Sequence, residues 1–466
     1  MRYRPPGMCL NDFSLLDCDD GWRVLHLQGP PVHPFDAATL ETSYGLARSP
    51  DLVNWQTLGP AFGIGPAGCF DDAAVWTMSH VALGGGLAMF YTGVSRHPRS
   101  WQSIGMAVSD RSDGTGWCRV GTGPVAEADG RWYRADRDMA WRDPYVVADL
   151  AGPWSWIMTV CARTAAGPLG HSGCIGLVTS DDLEHWTVRP PLLTPGITAE
   201  LECPVIERVG EDLLLFACVS EEQSFHAWRS PHIQGPWEHL GRVGPTGAYA
   251  PRVAWTADGP LVLHTQRGRF GGTDSGPLVR GCLSQPKLLS FTEAGRPYLA
   301  WWPGLEQFLE SSSGNHVSDG IAVFRFHNPS EVTMQLGTSA KALRVTFSGR
   351  SATLGYADGT RLLSETLPAA PRRSARIVRY QEFVEVYVDD HFCLSHVAYA
   401  PAEQEAIGWA DGKPADVACA EFRLNNEGDS EPATGLFPGS VNQLGRHRLV
   451  MARQQHDRLH RDTMGR

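Results

Sequence analysis

The sequence predicts an all-β protein: a five-bladed β-propeller over residues 1–305, a β-sandwich over 316–426 and a C-terminal tail over 427–466. Three observations lead there. Gly and Pro turn signals cut the chain every 8 to 12 residues, and the runs between them are β-branched or aromatic. A small-x-Ser-x-(Asp/Pro) pattern that runs on to a Trp recurs, with its serines at Ser49, Ser109, Ser180 and Ser230. After about residue 305 the repeat stops and plain strand alternation takes over.

Each repeat closes on a tryptophan, Trp55, Trp117, Trp186 or Trp237, which reads as a core pin of its module. Before each repeat stand strand-like runs: Trp22–Leu27, Leu87–Tyr91, Trp156–Val160, Leu213–Val219 and, for a fifth module, Leu261–Thr265. The fifth has only a degenerate signature around Val279–Phe291, as terminal repeats often do. Sandwich strands are expected at Gly320–Phe326, Val332–Leu336, Leu343–Phe347, Ala352–Tyr356, Ala375–Tyr380, Phe383–Val388 and Val417–Leu424, with Ser311–Asn315 as linker. The tail reads as frayed in preference to a short helix over Leu449–Leu459.

Composition narrows the function. With 40 basic against 51 acidic residues the net charge is −11, which opposes binding to nucleic acid or to an anionic membrane. No apolar run approaches a membrane span, and the N-terminal residues lack a signal-peptide core. Eleven cysteines without any CxxC spacing fit a reducing compartment, so a cytoplasmic protein is expected.

In a propeller the innermost strands converge on one end of a central channel. The five modules open on Asn11-Asp12, Phe70-Asp71-Asp72, Arg142-Asp143, Glu202-Cys203 and Tyr249-Ala250, so four of the five carry a carboxylate. One acidic residue at a strand start is ordinarily a solvated turn residue. Four in register point to a site, because carboxylates gathered in one funnel push their pKa values apart and divide into an acid and an ionised partner. Glycoside cleavage needs that division; a gap of about 5 to 5.5 Å gives retention and one of about 6.5 to 9.5 Å inversion.

Asn11-Asp12 after Met8-Cys9-Leu10, Trp141-Arg142-Asp143-Pro144 and Glu200-Leu201-Glu202-Cys203-Pro204 resemble, in order and spacing, the three signatures of glycoside hydrolase family 32, the β-fructofuranosidases. Gln28, the Ser49–Trp55 segment and Phe90-Tyr91-Thr92-Gly93 agree, and the resemblance covers roughly residues 5–300. It implies a propeller followed by a sandwich. It also implies Asp12 as nucleophile, Glu202 as general acid/base, Asp143 as transition-state stabiliser, and Asn11, Gln28, Arg142 and Cys203 along the same subsite. Two departures bear on specificity. Cys9-Leu10-Asn11-Asp12-Phe13-Ser14-Leu15 stands where the family has Trp-Met-Asn-Asp-Pro-Asn-Gly, and Phe70-Asp71-Asp72-Ala73 stands where it has Phe-Ser-Gly-Ser. Phe70, Asp71 and Asp72 are therefore expected at the donor subsite, with an extra carboxylate beside the sugar.

Three weaker signals add little. Gly63–Gly68 matches GxGxxG but contains Pro66 and runs into a strand, so it is a turn. His456 and His460 lack a third ligand. Trp141 is the tryptophan outside the repeat best placed to stack on a sugar. The reading is a retaining glycosidase of a β-fructofuranoside or related furanoside, needing no metal or cofactor, with a small sugar or glycoconjugate as its partner. Glycosyl transfer on the same carboxylates, a specialised-metabolite enzyme with a non-fructose substrate, and a non-catalytic carbohydrate-binding protein are the alternatives.

Overall fold

The computed structural model describes residues 2–30, 41–98, 100–149, 152–312, 314–367, 372–399 and 405–423. The tail expected over 427–466 lies outside them. Among the described residues all regular elements are strands apart from three short 3-10 turns, so the all-β expectation is met. Among the described residues no helix is long and apolar enough to cross a membrane. The eleven cysteines are all free thiols.

The described residues divide into two compact units: Tyr3–Gly241 with Ala250–Val253, and Arg2 with Arg242–Tyr249 and Ala254–Arg423. In the first unit four antiparallel meanders follow one another. They are β1 (Cys9–Cys18), β2 (Gly21–Gly29), β3 (Ser43–Ser49) and β4 (Gln56–Gly63); then β5 (Ala74–Leu83), β6 (Gly86–Ser95), β7 (Trp101–Ser109) and β8 (Cys118–Arg119). The third is β9 (Trp141–Ala148), β10 (Trp156–Arg163), β11 (Gly173–Ser180) and β12 (Thr187–Leu193). The fourth is β13 (Leu201–Val209), β14 (Asp212–Val219), β15 (Ser224–Ser230) and β16 (Glu238–Arg242). Second strands are buried almost throughout, as in β6 and β14, because each is covered on both faces.

The repeat is the turn between third and fourth strands: its four serines are the last residues of β3, β7, β11 and β15. In two repeats an aspartate follows two residues later and accepts backbone N–H groups, Val53 and Asn54 for Asp51, Glu184 and His185 for Asp182. Such Asx turns satisfy the backbone where the chain reverses and has no strand to pair with. The indoles of Trp55, Trp117 and Trp186 donate to the carbonyls of Leu52, Gly114 and Leu183, three residues back. The tryptophan ring thus locks the turn while its apolar face covers the sheet.

Separate apolar clusters join each sheet to the next. Leu25, Tyr44 and Phe62 meet Met78, Met89 and Tyr91; Phe90, Ile104 and Met106 meet Trp141 and Met158; Ile157, Ile175 and Leu177 meet Leu201, Ile206 and Leu215. Successive sheets therefore pack face to face, and the first strand of each packs against the first strand of the next.

β17 (Ala248–Thr256) carries residues of both units. In the second unit β18 (Gly259–Arg269) pairs with β19 (Leu278–Leu283) and also with β20 (Lys287–Phe291), which pairs with β21 (Pro297–Ala300). This module departs from the simple meander, in line with its degenerate signature. Beyond it come β22 (Leu309–Ser311), β23 (Gly320–Arg325), β24 (Glu331–Leu336), β25 (Leu343–Ser348), β26 (Ser351–Tyr356) and β27 (Arg361–Thr366). Then come β28 (Ser374–Tyr380), β29 (Phe383–Val388), β30 (His391–Val397), β31 (Ala406–Ala410), β32 (Lys413–Pro414) and β33 (Asp416–Phe422). They form two antiparallel runs, β22-β33-β23-β28-β29-β30 and β27-β26-β25-β24-β31-β32, whose alternate side chains share one core around Phe324, Met334, Val345, Phe347, Ile377 and Val386.

Candidate active site

A β-bulge interrupts the first strand of each meander. Register slips between Leu10 and Phe13 in β1, at Thr77 in β5, between Arg142 and Tyr145 in β9 and between Glu202 and Val205 in β13. A bulge leaves one residue out of the ladder and re-aims its side chain. Here the residues so released are Asp12, Thr77, Asp143 and Cys203. Asp143 and Cys203 have positive φ, 59° and 50°, each ahead of a proline, and Ala250 before Pro251 repeats the geometry with φ 48°. Left-handed backbone at a non-glycine residue costs about 1–3 kcal/mol, so the surrounding packing must hold it.

The bulges bring the side chains together. One donor atom each of Asp12, Asp143 and Cys203 lie within 4.8 Å of one another, and all three residues are buried. The Thr77 hydroxyl donates to Asp12 Oδ2. The Cys203 backbone N–H donates to Asp143 Oδ2 at 2.9 Å, and the Asp143 N–H donates to the Thr92 hydroxyl at 2.9 Å. Glu202 Oε1 accepts from Arg142 Nη2 at 2.7 Å and its Oε2 from the Ser220 hydroxyl at 2.8 Å. Strand alternation would send Arg142 to the face opposite Asp143. The bulge removes that alternation, and Arg142 Nε stands 3.9 Å from Asp143 Oδ2.

Like charges dominate the electrostatics. Burial raises the Asp143 carboxyl above the usual carboxylate range; Arg142 and the Cys203 N–H oppose this, while Asp12 and Glu202 add to it. The Cys203 thiol is pushed well up, by burial first and then by Cys218 and the two aspartates, so it stays protonated. Burial works against the Arg142 charge, but the surrounding acids, Glu200 and Glu202 among them, outweigh it. The three converging donors could chelate a cation only by giving up the Thr77 and Cys203 hydrogen bonds, and a protonated thiol is a poor ligand. The arrangement is suited to moving protons between carboxylates.

Residues 3–239 match the family described as Glycosyl hydrolases family 32 N-terminal domain. The chain belongs to glycosyl hydrolase family 32. Family membership makes it a glycoside hydrolase of the β-fructofuranosidase-like kind. Similar solved structures include a sucrose-6-phosphate hydrolase from Lactobacillus gasseri, with 16% identity and TM-score 0.72 over 91% of this chain and 92% of that one. A GH32 β-fructofuranosidase of Bombyx mori has 13% identity and TM-score 0.70 over 91% and 93%. Fructan 1-exohydrolase IIa from Cichorium intybus has 15% identity and TM-score 0.68 over 91% and 96%.

Within this family 32 chain the other expected subsite residues divide. Asn11 Nδ2 donates to the buried carboxylate of Glu41 at 3.2 Å, and Gln28 Nε2 donates to the Ser43 hydroxyl at 3.1 Å. Gln28 pairs with Leu10, next to the bulge that releases Asp12. Phe70, Asp71 and Asp72 do not open a strand: β5 begins at Ala74, and its residue at the bulge position is Thr77. Phe70 packs where Gly93 and Gly105 leave no side chain. Asp71 is fully buried and takes the Tyr91 hydroxyl at 2.9 Å and Arg119 Nε at 2.7 Å on Oδ2. Asp72 accepts the backbone N–H groups of Gly68 and Arg96, which hold its carboxyl low against the cost of burial. The GxGxxG run is the turn that wraps these two carboxylates, since a Cβ on Gly65 would lie 2.1 Å from Asp71 Oδ1. The stacking expected of Trp141 is also corrected. Its ring is fully buried against Tyr133 and its indole donates to the Ala126 carbonyl.

Thr77, Glu41 and Ser220 were not expected at the site. Thr77 had a signal: counting from the bulge residue of the other modules, rather than from the nearest acidic pair, leads to it. Glu41 and Ser220 lie on no motif.

Proposed function

We propose that this chain hydrolyses a β-fructofuranoside, or a closely related furanoside, with retention of configuration, and that its four meanders are blades of a five-bladed propeller. The observation that carries the reading is the convergence of Asp12 and Asp143 from separate bulged strands, with Glu202 held by Arg142 and Ser220 at the same bulge as Cys203. Asp12, its Oδ2 held by the Thr77 hydroxyl, attacks the anomeric carbon while Glu202 gives its proton to the departing oxygen. Glu202 then removes a proton from water, which displaces Asp12 from the anomeric carbon and releases the sugar. Asp143 binds hydroxyls of the sugar ring and, where ionised, stabilises the cationic transition state.

A Bombyx mori relative was solved with sucrose and a Schwanniomyces occidentalis fructofuranosidase with fructose, which supports a small fructoside. The engagement of Asp71 Oδ2 and of Asp72 with Arg119, Tyr91 and backbone N–H groups supports the same substrate, since both charges have partners inside the fold and neither calls for an amino sugar. The test is product analysis on sucrose, inulin- and levan-type oligosaccharides and arabinofuranosides, with Glu202→Gln as control. Fructose release that falls by about 10²- to 10⁴-fold in the variant is expected. Silence on every fructoside, with turnover of an arabinofuranoside, would move the substrate and leave the chemistry. Silence on all of them refutes the reading.

A further inference from the structure

Glu202 has an unusual resting partner for a group that must deliver a proton. Its Oε1 lies 2.7 Å from Arg142 Nη2, a contact that favours the ionised, proton-less form. The same nitrogen lies 2.6 Å from Oε2 of Glu200, whose Oε1 in turn receives Arg142 Nη1 at 3.4 Å and Arg163 Nη2 at 2.8 Å. Glu200, just ahead of β13, and Glu202 within it both reach the Arg142 guanidinium, and the Glu200 backbone is fixed in both directions by the Thr198 hydroxyl.

We propose that Glu200 is a positioning residue that draws the Arg142 charge away from Glu202 and keeps the acid able to hold its proton, with Arg163 setting how strongly Glu200 does so. This rests on the reading of Glu202 as the general acid. Two cations and two carboxylates alternate, Arg163–Glu200–Arg142–Glu202, so removing any link changes the field at the last. The charged groups that act on Glu202 include Arg142 and Asp143 from β9 and Glu221 after β14, while Glu200 ahead of its own strand and Arg163 from β10 reach it through Arg142, and Asp12 from β1 acts on Asp143 beside it. Cys161 and Cys203, both held protonated by burial, add no charge. Removing Glu200 leaves Arg142 to Glu202 and Asp143 and lowers the Glu202 pKa. Removing Arg163 leaves Glu200 uncompensated and raises it.

The experiment follows the Glu202 ¹³Cδ signal in protein labelled at glutamate, the signal assigned by its loss in Glu202→Gln. Glu200→Gln is expected to lower the titration midpoint by about one pH unit, and Arg163→Gln to raise it by a smaller amount. The basic limb of kcat/KM on whichever furanoside is turned over should move the same two ways. Midpoints that stay put in both variants, or move in the same direction, overturn the proposal; so does a uniform fall in kcat/KM with unmoved limbs, the mark of a merely structural role. The titration is read without substrate, so absence of turnover in the parent protein refutes the hydrolase reading separately from this one.

Discussion

Two of the buried charge clusters among the described residues are built on opposite plans. In the second unit Glu385 is fully buried, with Lys287 Nζ at 3.2 Å and Arg2 Nη2 at 2.8 Å from the same carboxylate oxygen. Its other oxygen accepts from Gln285 Nε2 and the Tyr387 hydroxyl, both at 2.8 Å. Burial would raise this carboxyl, but Lys287 and Arg2 hold it well below the usual range, and burial lowers Lys287 to about 8. In the first unit Asp143, Glu202 and Glu200 share the guanidinium groups of Arg142 and Arg163 with Asp12 beside Asp143, and Asp143 is driven the other way. Burial alone does not distinguish a site from a structural knot. The sign of the excess does: in the knot two cations hold one carboxylate ionised, whereas at the site carboxylates outnumber the guanidinium groups and a proton is left loosely placed.

The largest effect expected is in the Glu385 knot. Glu385→Gln leaves Lys287 and Arg2 buried without their counter-charge and should destabilise the protein by about 3–5 kcal/mol, read as a fall in the urea midpoint. Because the native Glu385 pKa is depressed, the stability it contributes is present above the unfolded pKa of about 4 and lost as pH falls toward the native value. The gap between parent and variant should therefore narrow in acid. A loss under about 1 kcal/mol at neutral pH would erase the contrast between the clusters.

The two plans were not equally legible in the sequence. Strand rhythm announced β23 to β26, β28, β29 and β33 to within a residue or two, because alternation is imposed by one buried face. Asp12, Arg142-Asp143 and Glu202-Cys203 stood out because acidic residues beside strand starts repeat from module to module. Phe70-Asp71-Asp72 copied that signal without its geometry: these residues precede β5, and the bulge that selects the site residue falls at Thr77. A bulge changes register without changing composition, so nothing in a strand pattern locates it, although the prolines after Asp143 and Cys203 mark two of them in retrospect. The Lys287–Glu385 knot was invisible because its members lie 98 residues apart. Glu200 opens the Glu200–Pro204 motif, yet its link to Arg142 and Arg163 joins three separate segments that the sequence does not bring together.

A smaller effect sharpens the carboxylate-rich side. Thr77→Val removes the hydroxyl that donates to Asp12 while keeping shape, and should lower kcat about tenfold, the worth of one hydrogen bond to a charged group, with KM nearly unchanged. Thr77→Ser keeps the donor and should stay near the parent rate. Equal losses in the two variants would assign the role of Thr77 to packing of its methyl group against the bulge.

The smallest effect is the one most opposed to intuition, since it pairs lost activity with gained stability. Asp143 is a carboxyl whose native pKa is raised, by burial first and then by Asp12 and Glu202. The native state therefore holds a proton that the unfolded chain releases at about pH 4, and stability falls as pH rises from there to the native pKa. Above that value the penalty is complete and constant. The amide introduced by Asp143→Asn cannot ionise, accepts the Cys203 N–H through its oxygen and tolerates the left-handed backbone as well as the aspartate does. The substitution also loses the approach of Arg142 at 3.9 Å, which offsets part of the gain. The net expectation is about 1 kcal/mol of added stability at about pH 7 to 8 and none at about pH 4, read from urea midpoints across that range, with turnover greatly reduced. A variant less stable than the parent at the alkaline end would mean that Arg142 already neutralises Asp143, and the site would then hold its carboxylate ionised as the Glu385 knot does.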